Sequence, residues 1–141
     1  MIVTEQDVEK YFVRYLASSE ITENEKYTYG ERINPHLDYL INMIGDTPLT
    51  NQATIEIGVP KDILLDDPPC LRVLSWKIVH GKLNLSSFWR SWDLGVGLPV
   101  NLCGLQLLNE LIAIQSGVDT GKLICYSDGA HLYDYQYHYF E

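Results

Sequence analysis

Cys70 is the residue best placed for chemistry in this chain. It stands at the end of an Asp66-Asp67-Pro68-Pro69 loop, and the proline pair stiffens the approach and fixes its orientation. A lone cysteine is more often a small buried hydrophobe than a nucleophile. Nucleophilic use needs nearby positive charge to draw the thiol down from its usual pKa of about 8.5. Arg72 and, across a predicted hairpin, Arg90 are the two candidates. The other cysteines, Cys103 and Cys125, lie in apolar runs and fit the small-hydrophobe role. Three cysteines without a C-x-x-C spacing suggest neither a disulfide framework nor a metal knuckle.

A second group follows Arg90. The Arg90-Ser91 pair sets a guanidinium beside a hydroxyl, a combination that can hold a phosphate or form an ordinary surface ion pair. Asp93, Gly95, Gly97, Pro99 and Asn101 come next. Glycines let backbone approach a ligand closely. An asparagine offers one donor and one acceptor to an amide-like base edge, or simply caps a helix. His131 and Tyr133 are two apart and would share one face of a strand, suited to a sugar hydroxyl or to packing within a tyrosine-rich edge.

The elements that must position these groups are legible from periodicity. Thr4 is a candidate N-cap for a helix over 5–18, with Val8, Tyr11, Phe12, Tyr15 and Leu16 on one face. Residues 19–33 are polar and turn-like. Asn34-Pro35 then looks like a helix start, with Leu37, Leu40, Ile41 and Ile44 on the apolar face and Gly45 as the stop. Ala53 to Val59 alternate as a strand. Residues 61–69 form a loop, 71–79 and 82–90 form a hairpin around His80-Gly81, and 91–99 form another loop. Val100 to Ser116 predicts a buried helix ending at Gly117, and 121–127 a further strand. The tail from His131 carries no clear signal. The order points to α+β, one mixed sheet backed by helices.

Composition bounds the function classes. A chain of 141 residues, 46% of them hydrophobic, can bury one core. The formal net charge of −9 disfavours non-specific nucleic-acid binding without excluding a local cationic pocket. The stretch Leu94–Ile114 contains Pro99, Asn101, Asn109 and Glu110, a poor pattern for a membrane span. The N-terminus has neither a basic n-region nor an apolar h-region. A cytoplasmic protein with no metal, membrane or nucleic-acid partner is expected.

Four segments in the same order and spacing carry a family resemblance: Pro68-Pro69-Cys70, Arg90-Ser91-x-Asp93, Gly97-Leu98-Pro99-Val100-Asn101 and His131-Leu132-Tyr133. Together they resemble the core signature of thymidylate synthases, and the run from Phe88 to Asn101 looks most like the shorter, archaeal-type branch. Tyr27-Thr28-Tyr29-Gly30 also resembles the family's Tyr-Gly element. The resemblance implies reductive methylation of dUMP with 5,10-methylenetetrahydrofolate as co-substrate. Cys70 would add to C6 of the pyrimidine, and Arg90 would favour its thiolate. Arg90 and Ser91 would grip the phosphate, and Asn101 would bind the uracil edge. His131 and Tyr133 would hold the ribose hydroxyl, Asp93 and Gly97 would meet the folate, and Tyr29 would assist proton removal from C5. A homodimer joined sheet to sheet is also implied.

The chain departs from the pattern in several places. The family's paired arginines, donated across the dimer, should fall at Leu49-Thr50-Asn51-Gln52, which contains none. Each charge-assisted hydrogen bond is worth roughly 1.5–3 kcal/mol, so weaker nucleotide binding is implied. Trp89 replaces a polar residue common beside the arginine. The expectation is a single domain over 1–141 lacking the family's N-terminal region, with its proton-managing glutamate, and its C-terminal end. The alternatives are a non-catalytic or divergent member and a pyrimidine nucleotide hydroxymethylase, the latter with the same cysteine chemistry ending in water rather than hydride.

Overall fold

The computed structural model describes residues 3–140. Helix α1 (Glu5–Tyr11) starts where Thr4 predicts it should: Thr4 Oγ1 accepts from the Asp7 N–H at 3.3 Å, and the Asp7 carboxylate accepts from the Thr4 N–H at 3.0 Å. It runs into a π-helical turn, Phe12–Leu16, and ends there, short of the expected residue 18.

Helix α2 spans Tyr29–Asp46 and so starts six residues earlier than the Asn34-Pro35 signal suggests. Its cap is Thr28, whose Oγ1 accepts from the Glu31 N–H at 3.0 Å. The Thr28-x-x-Glu31 spacing outranks the proline. Pro35 is an exposed interior residue that leaves one helical carbonyl unpaired. This correction places Tyr29 in the first turn of a helix rather than in a loop.

The main sheet has the order β1 (Thr54–Glu56), β2 (Leu71–Val79), β3 (Lys82–Trp89), β5 (Asp119–Ser127). The first two pairings are antiparallel and β3–β5 is parallel, so the sheet is mixed. β1 is shorter than the expected 53–59. The Ile57 and Gly58 N–H groups both point to the Arg72 carbonyl, at 2.9 and 3.0 Å, and the chain leaves the ladder for a 3₁₀ turn at Pro60–Leu64. His80 and Gly81 take φ of 51° and 76°, a tight hairpin turn.

A second, two-stranded sheet was hidden in the predicted loop 91–99: β4 (Trp92–Asp93) pairs in parallel with β6 (Ala130–His131). Helix α3 begins at Gly97 rather than Val100 and runs to Ser116. By length and composition it could cross a membrane. Here it lies on the sheet, with Leu105, Leu108, Ile112 and Ala113 buried and Asn109 donating to the Leu83 carbonyl at 3.0 Å. The core lies between that face of the sheet (Leu71, Leu74, Trp76, Leu83, Leu85, Trp89) and the helices, with Ile33, Leu40 and Ile44 from α2. The architecture is α+β, one mixed sheet backed by helices. Cys103 departs from expectation: it is exposed on α3, because that helix is apolar beyond its packed face.

Candidate active site

Cys70 is half-buried, held between the Pro69 carbonyl and the first residue of β2. Its own carbonyl accepts from the Arg90 N–H at 2.8 Å, which locks the loop to the end of β3. The Arg90 guanidinium turns back over this loop. Its Nε donates to the Pro69 carbonyl at 3.2 Å, and another nitrogen reaches the Pro68 carbonyl and, at 3.5 Å, Asp67. Of the two cations considered from sequence, Arg90 is therefore the one beside the thiol. Arg72 instead faces Asp62 and Pro69. Burial pushes the Cys70 thiol up, Arg90 draws it down, and Asp67 pushes it up again; the sum is a thiol above its ordinary value.

Asp62, in the loop that leads to Cys70, is 1% exposed. Arg32 clamps it with two hydrogen bonds, 2.6 and 2.9 Å, and also donates to the Ile57 carbonyl. The Val59 N–H gives the carboxylate a third hydrogen bond. This buried pair anchors the loop that leads to Cys70 onto α2.

Tyr29 completes the wall next to the cysteine. Its hydroxyl accepts from the Leu71 N–H at 3.3 Å, and its ring meets Trp89 edge-on with centroids 6.1 Å apart. Trp89 thus packs, fully buried, where a polar side chain was expected. Burial pushes the Tyr29 phenol well up, so it is neutral at physiological pH. The Cys70 charge bears on both Tyr29 and Tyr27, whose phenol burial holds at about 12.

Tyr27 and Tyr29 line a cavity of about 400 Å³ whose wall also includes Tyr11, Asp67 and Asn101. Asn101 lies one turn inside α3, not at its start. The Trp92 indole N–H donates to its Oδ1 at 2.9 Å. Gly97 leaves the space between Asp93 and Asn101 free: a Cβ there would sit 3.4 Å from Asp93 Cβ and 3.6 Å from Asn101 Oδ1. Asp93 is partly buried, which by itself would raise its pKa. The N–H groups of Gly95, Val96 and Gly97 and the Gln136 amide outweigh burial and hold it ionised.

Ser91 and His131 meet through the small sheet, because β4–β6 pairing aligns Asp93 with His131. Ser91 Oγ lies 3.3 Å from His131 Nδ1, and the Gly129 carbonyl lies 3.1 Å from the same nitrogen. A carbonyl can only accept, so the proton is on Nδ1. Tyr133 stands beyond β6 rather than on a strand, and packs edge-on to His131 at 5.1 Å.

Three neighbours had no sequence signal of a site role. Trp92 orients Asn101. Gln136, fully buried in the tyrosine-rich tail, accepts from the Tyr133 N–H at 2.9 Å and lies against Asp93 and Gly95. Tyr11 lines the cavity from α1. The approach of Gln136 to Asp93 and Gly95, and of Tyr11 to the cavity, joins distant segments, beyond the reach of a local pattern. Among the described residues no three His, Cys, Asp or Glu side chains converge as a metal site.

Comparison with known proteins fits this arrangement. The family model described as thymidylate synthase matches residues 12–141. A provisionally named thymidylate synthase of Methanosarcina acetivorans is 32% identical over 140 residues, covering 94% of this chain and 64% of that protein. The thymidylate synthase of varicella-zoster virus (strain Dumas) is 35% identical over 98 residues, 69% of this chain and 33% of its own. Among solved structures, the thymidylate synthase of T4 phage superposes with a TM-score of 0.67 at 23% identity, over 72% of this chain and 36% of its own. Thymidylate synthase A of Bacillus subtilis gives the same TM-score and identity over 89% of this chain and 44% of its own. The chain thus spans less than two thirds of the length of these relatives. With a match across nearly its whole length, laid over the same fold, the chain belongs to the thymidylate synthase family.

Proposed function

We propose that this chain carries the pyrimidine-methylating chemistry of its family: reductive methylation of dUMP to dTMP, with Cys70 as the nucleophile. One observation carries the reading. Tyr29 and Asn101 line a single cavity, Cys70 lies next to Tyr29, and Arg90 lies beside the thiol.

In this reading Cys70 loses its proton and its sulfur bonds to C6 of the uracil. The C5–C6 electron pair moves onto C5, which becomes the nucleophile toward a one-carbon unit. Asn101 holds the uracil edge, Ser91 and Arg90 hold the phosphate, and His131 with Tyr133 holds the ribose hydroxyl. Tyr29, neutral and next to the sulfur, assists removal of the C5 proton, and the sulfur leaves at the end. 5,10-Methylenetetrahydrofolate is the co-substrate that supplies the carbon and the hydride. The residues present fit it: Asp93 is an ionised acceptor for pterin N–H groups, and Gly97 keeps the adjoining space open.

Two observations favour a second reading, a divergent member that binds nucleotide without turnover. Arg90 is committed to the Pro68 and Pro69 carbonyls, and Asn51-Gln52 stand where paired arginines are expected. A hydroxymethylase would share the cysteine step, and Asn101 leans toward uracil over cytosine.

The sheet supports a homodimer. Its face away from the helices exposes Phe88, Ile124 and Tyr126, with Phe88 stacked on Tyr126 at 5.4 Å.

Incubation with 5-fluoro-dUMP and methylenetetrahydrofolate tests the reading. The expected result is a covalent adduct by mass spectrometry that Cys70→Ser abolishes, with dTMP formed from dUMP in a parallel assay. An adduct without dTMP supports the binding-only member. Absence of any nucleotide binding overturns both.

A further inference from the structure

Arg72 is the extra residue of a β-bulge. Leu71 pairs with Trp89 and Val73 with Phe88, so Arg72 has no partner on β3. Its carbonyl takes the N–H groups of both Ile57 and Gly58, at 2.9 and 3.0 Å. A bulge re-aims the side chain of its extra residue. Here the Arg72 guanidinium lies over Gly58 and reaches the loop that carries Cys70. A Cβ on Gly58 would collide with the Arg72 Cζ, Nε and Nη2 atoms, so the glycine gives the guanidinium its seat.

That seat puts two guanidiniums on one acceptor. Arg72 Nη1 donates to the Pro69 carbonyl at 3.5 Å, and Arg90 Nε donates to the same oxygen at 3.2 Å. One neutral carbonyl does not balance two positive charges. The carboxylates in reach add little. Arg32 holds both oxygens of Asp62, at 2.6 and 2.9 Å, and the Val59 N–H adds a third bond at 2.8 Å. This leaves Arg72 at 3.8 Å from Asp62, beyond hydrogen-bond length. Asp67 is 3.5 Å from Arg90 but 92% exposed, so water screens most of its charge. Arg72 therefore makes one long hydrogen bond with a group that carries five N–H donors.

Two like charges held side by side are costly, and a doubly charged anion between them reverses that cost. A phosphate monoester has this chemistry. It carries close to two negative charges at pH 7, and its three terminal oxygens match the fork of a guanidinium. Both side chains keep part of their surface in water, 26% for Arg72 and 37% for Arg90, so a dissolved anion can reach them. In a chain of net charge −9, two converging arginines are a local exception to a field that repels such an anion.

We propose that Arg72 is a phosphate-binding residue: with Arg90 it holds the phosphate dianion of the bound nucleotide between two guanidiniums of the same chain. This rests on the site binding a pyrimidine nucleotide, as argued above. The phosphate takes the place of the exposed Asp67 carboxylate on Arg90. Arg72 exchanges its long bond to Pro69 for charge-assisted bonds to phosphate oxygens.

Calorimetric titration with dUMP at pH 5 and at pH 7.5 tests this. Arg72→Gln should weaken dUMP about 10-fold or more at pH 7.5, the scale of one charge-assisted hydrogen bond. The phosphate loses its second proton at about pH 6, so the ratio of wild-type to variant affinity should be several-fold larger at pH 7.5 than at pH 5. Groups untouched by the substitution titrate alike in both proteins, so this ratio isolates Arg72. Arg72→Lys, which keeps the charge without the fork, should restore most of the pH dependence. Gly58→Ala, which keeps the arginine but displaces its guanidinium, should show part of the same loss. No loss in Arg72→Gln, or a loss equal at both pH values, overturns the proposal while the pyrimidine reading stands. Titration with inorganic phosphate separates the two readings. If wild-type protein binds phosphate through Arg72 but not dUMP, the anion site stands and the pyrimidine reading falls. If it binds neither, both fall.

Discussion

The Trp92 indole donates to Asn101 Oδ1 at 2.9 Å, and this bond determines which way the Asn101 amide faces. An indole N–H cannot accept, so oxygen must point toward Trp92 and nitrogen away from it. Trp92 itself cannot swing. It is buried, and its ring is stacked on Trp89 at 4.5 Å with the planes 5° apart. Trp89 in turn donates to Ser87 Oγ at 2.9 Å in the core of β3. A chain of packed aromatic rings thus connects the centre of the sheet to Asn101 in the cavity wall.

Trp92→Phe should separate orientation from packing. The substitution keeps most of the stacking and removes the N–H, at a stability cost of about 0.5–1.5 kcal/mol. The Asn101 amide is then free to rotate, so any preference for 5-fluoro-dUMP over 5-fluoro-dCMP in calorimetric titration should narrow several-fold. An undiminished preference would show that Asn101 is held by something other than Trp92.

Cys70 should be a slow nucleophile in the free protein. Burial and Asp67 hold its pKa above the ordinary value against the pull of Arg90, so the thiol is protonated near neutrality. Alkylation of Cys70 by iodoacetamide, followed by peptide mass spectrometry, should therefore keep accelerating beyond pH 9. Asp67→Asn should accelerate it about 2-fold at pH 8; the side chain is 92% exposed, so solvent screens most of its charge. Arg90→Gln should slow it. A rate that levels off near pH 7 would contradict the buried, protonated thiol.

The sequence carries much of the scaffold, because local signals determine local structure. Thr4 with Asp7, the His80-Gly81 turn, and the alternation of Leu83, Leu85, Ser87 and Trp89 each act within a few residues. Two local signals compete for the start of α2. Asn34-Pro35 is the more conspicuous, but Thr28 and Glu31 make the actual cap. The candidate groups near Cys70 were legible as motifs, since each segment is contiguous. What holds them was not. Tyr11 against Gly104, Gln136 against Gly95 and Arg32 to Asp62 are contacts between segments with no shared pattern, and only folding brings them together.

The Arg32–Asp62 pair should govern stability in acid. Asp62 lies below its ordinary value of 3.8, first because of the Arg32 hydrogen bonds, which outweigh burial. A depressed carboxylate contributes stability that is present above its unfolded pKa and is lost as pH falls through its folded pKa. Arg32→Met leaves the carboxylate buried without its main partner and should destabilise by about 3–5 kcal/mol at pH 7. Protonation relieves that unpaired charge, so the deficit should shrink as pH falls from 7 toward 4 in denaturant melts. Arg32→Met with Asp62→Leu should recover much of the loss. A deficit independent of pH would mean the arginine acts through packing alone.

The outer face of the sheet offers the last test. Phe88 and Tyr126 are directly paired in the β3–β5 register, and Ile124 lies beside Ser86. All three apolar side chains are exposed, while the β1–β2 side of the face is polar, with Thr54 Oγ1 and Ser75 Oγ hydrogen-bonded at 2.9 Å. A homodimer through this face would bury the aromatic pair and leave the hydroxyls paired within each chain. Aromatic anchors of this kind commonly cost 2 kcal/mol or more when lost from an interface. Ile124→Asp or Phe88→Asp would add an unpaired charge to that loss. Light scattering after size exclusion at micromolar concentration should find wild-type protein dimeric and both variants monomeric, with far-ultraviolet circular dichroism unchanged because neither side chain enters the core. A monomeric wild type would argue against the dimer, and with it against any phosphate contact from Asn51 or Gln52 of a second chain.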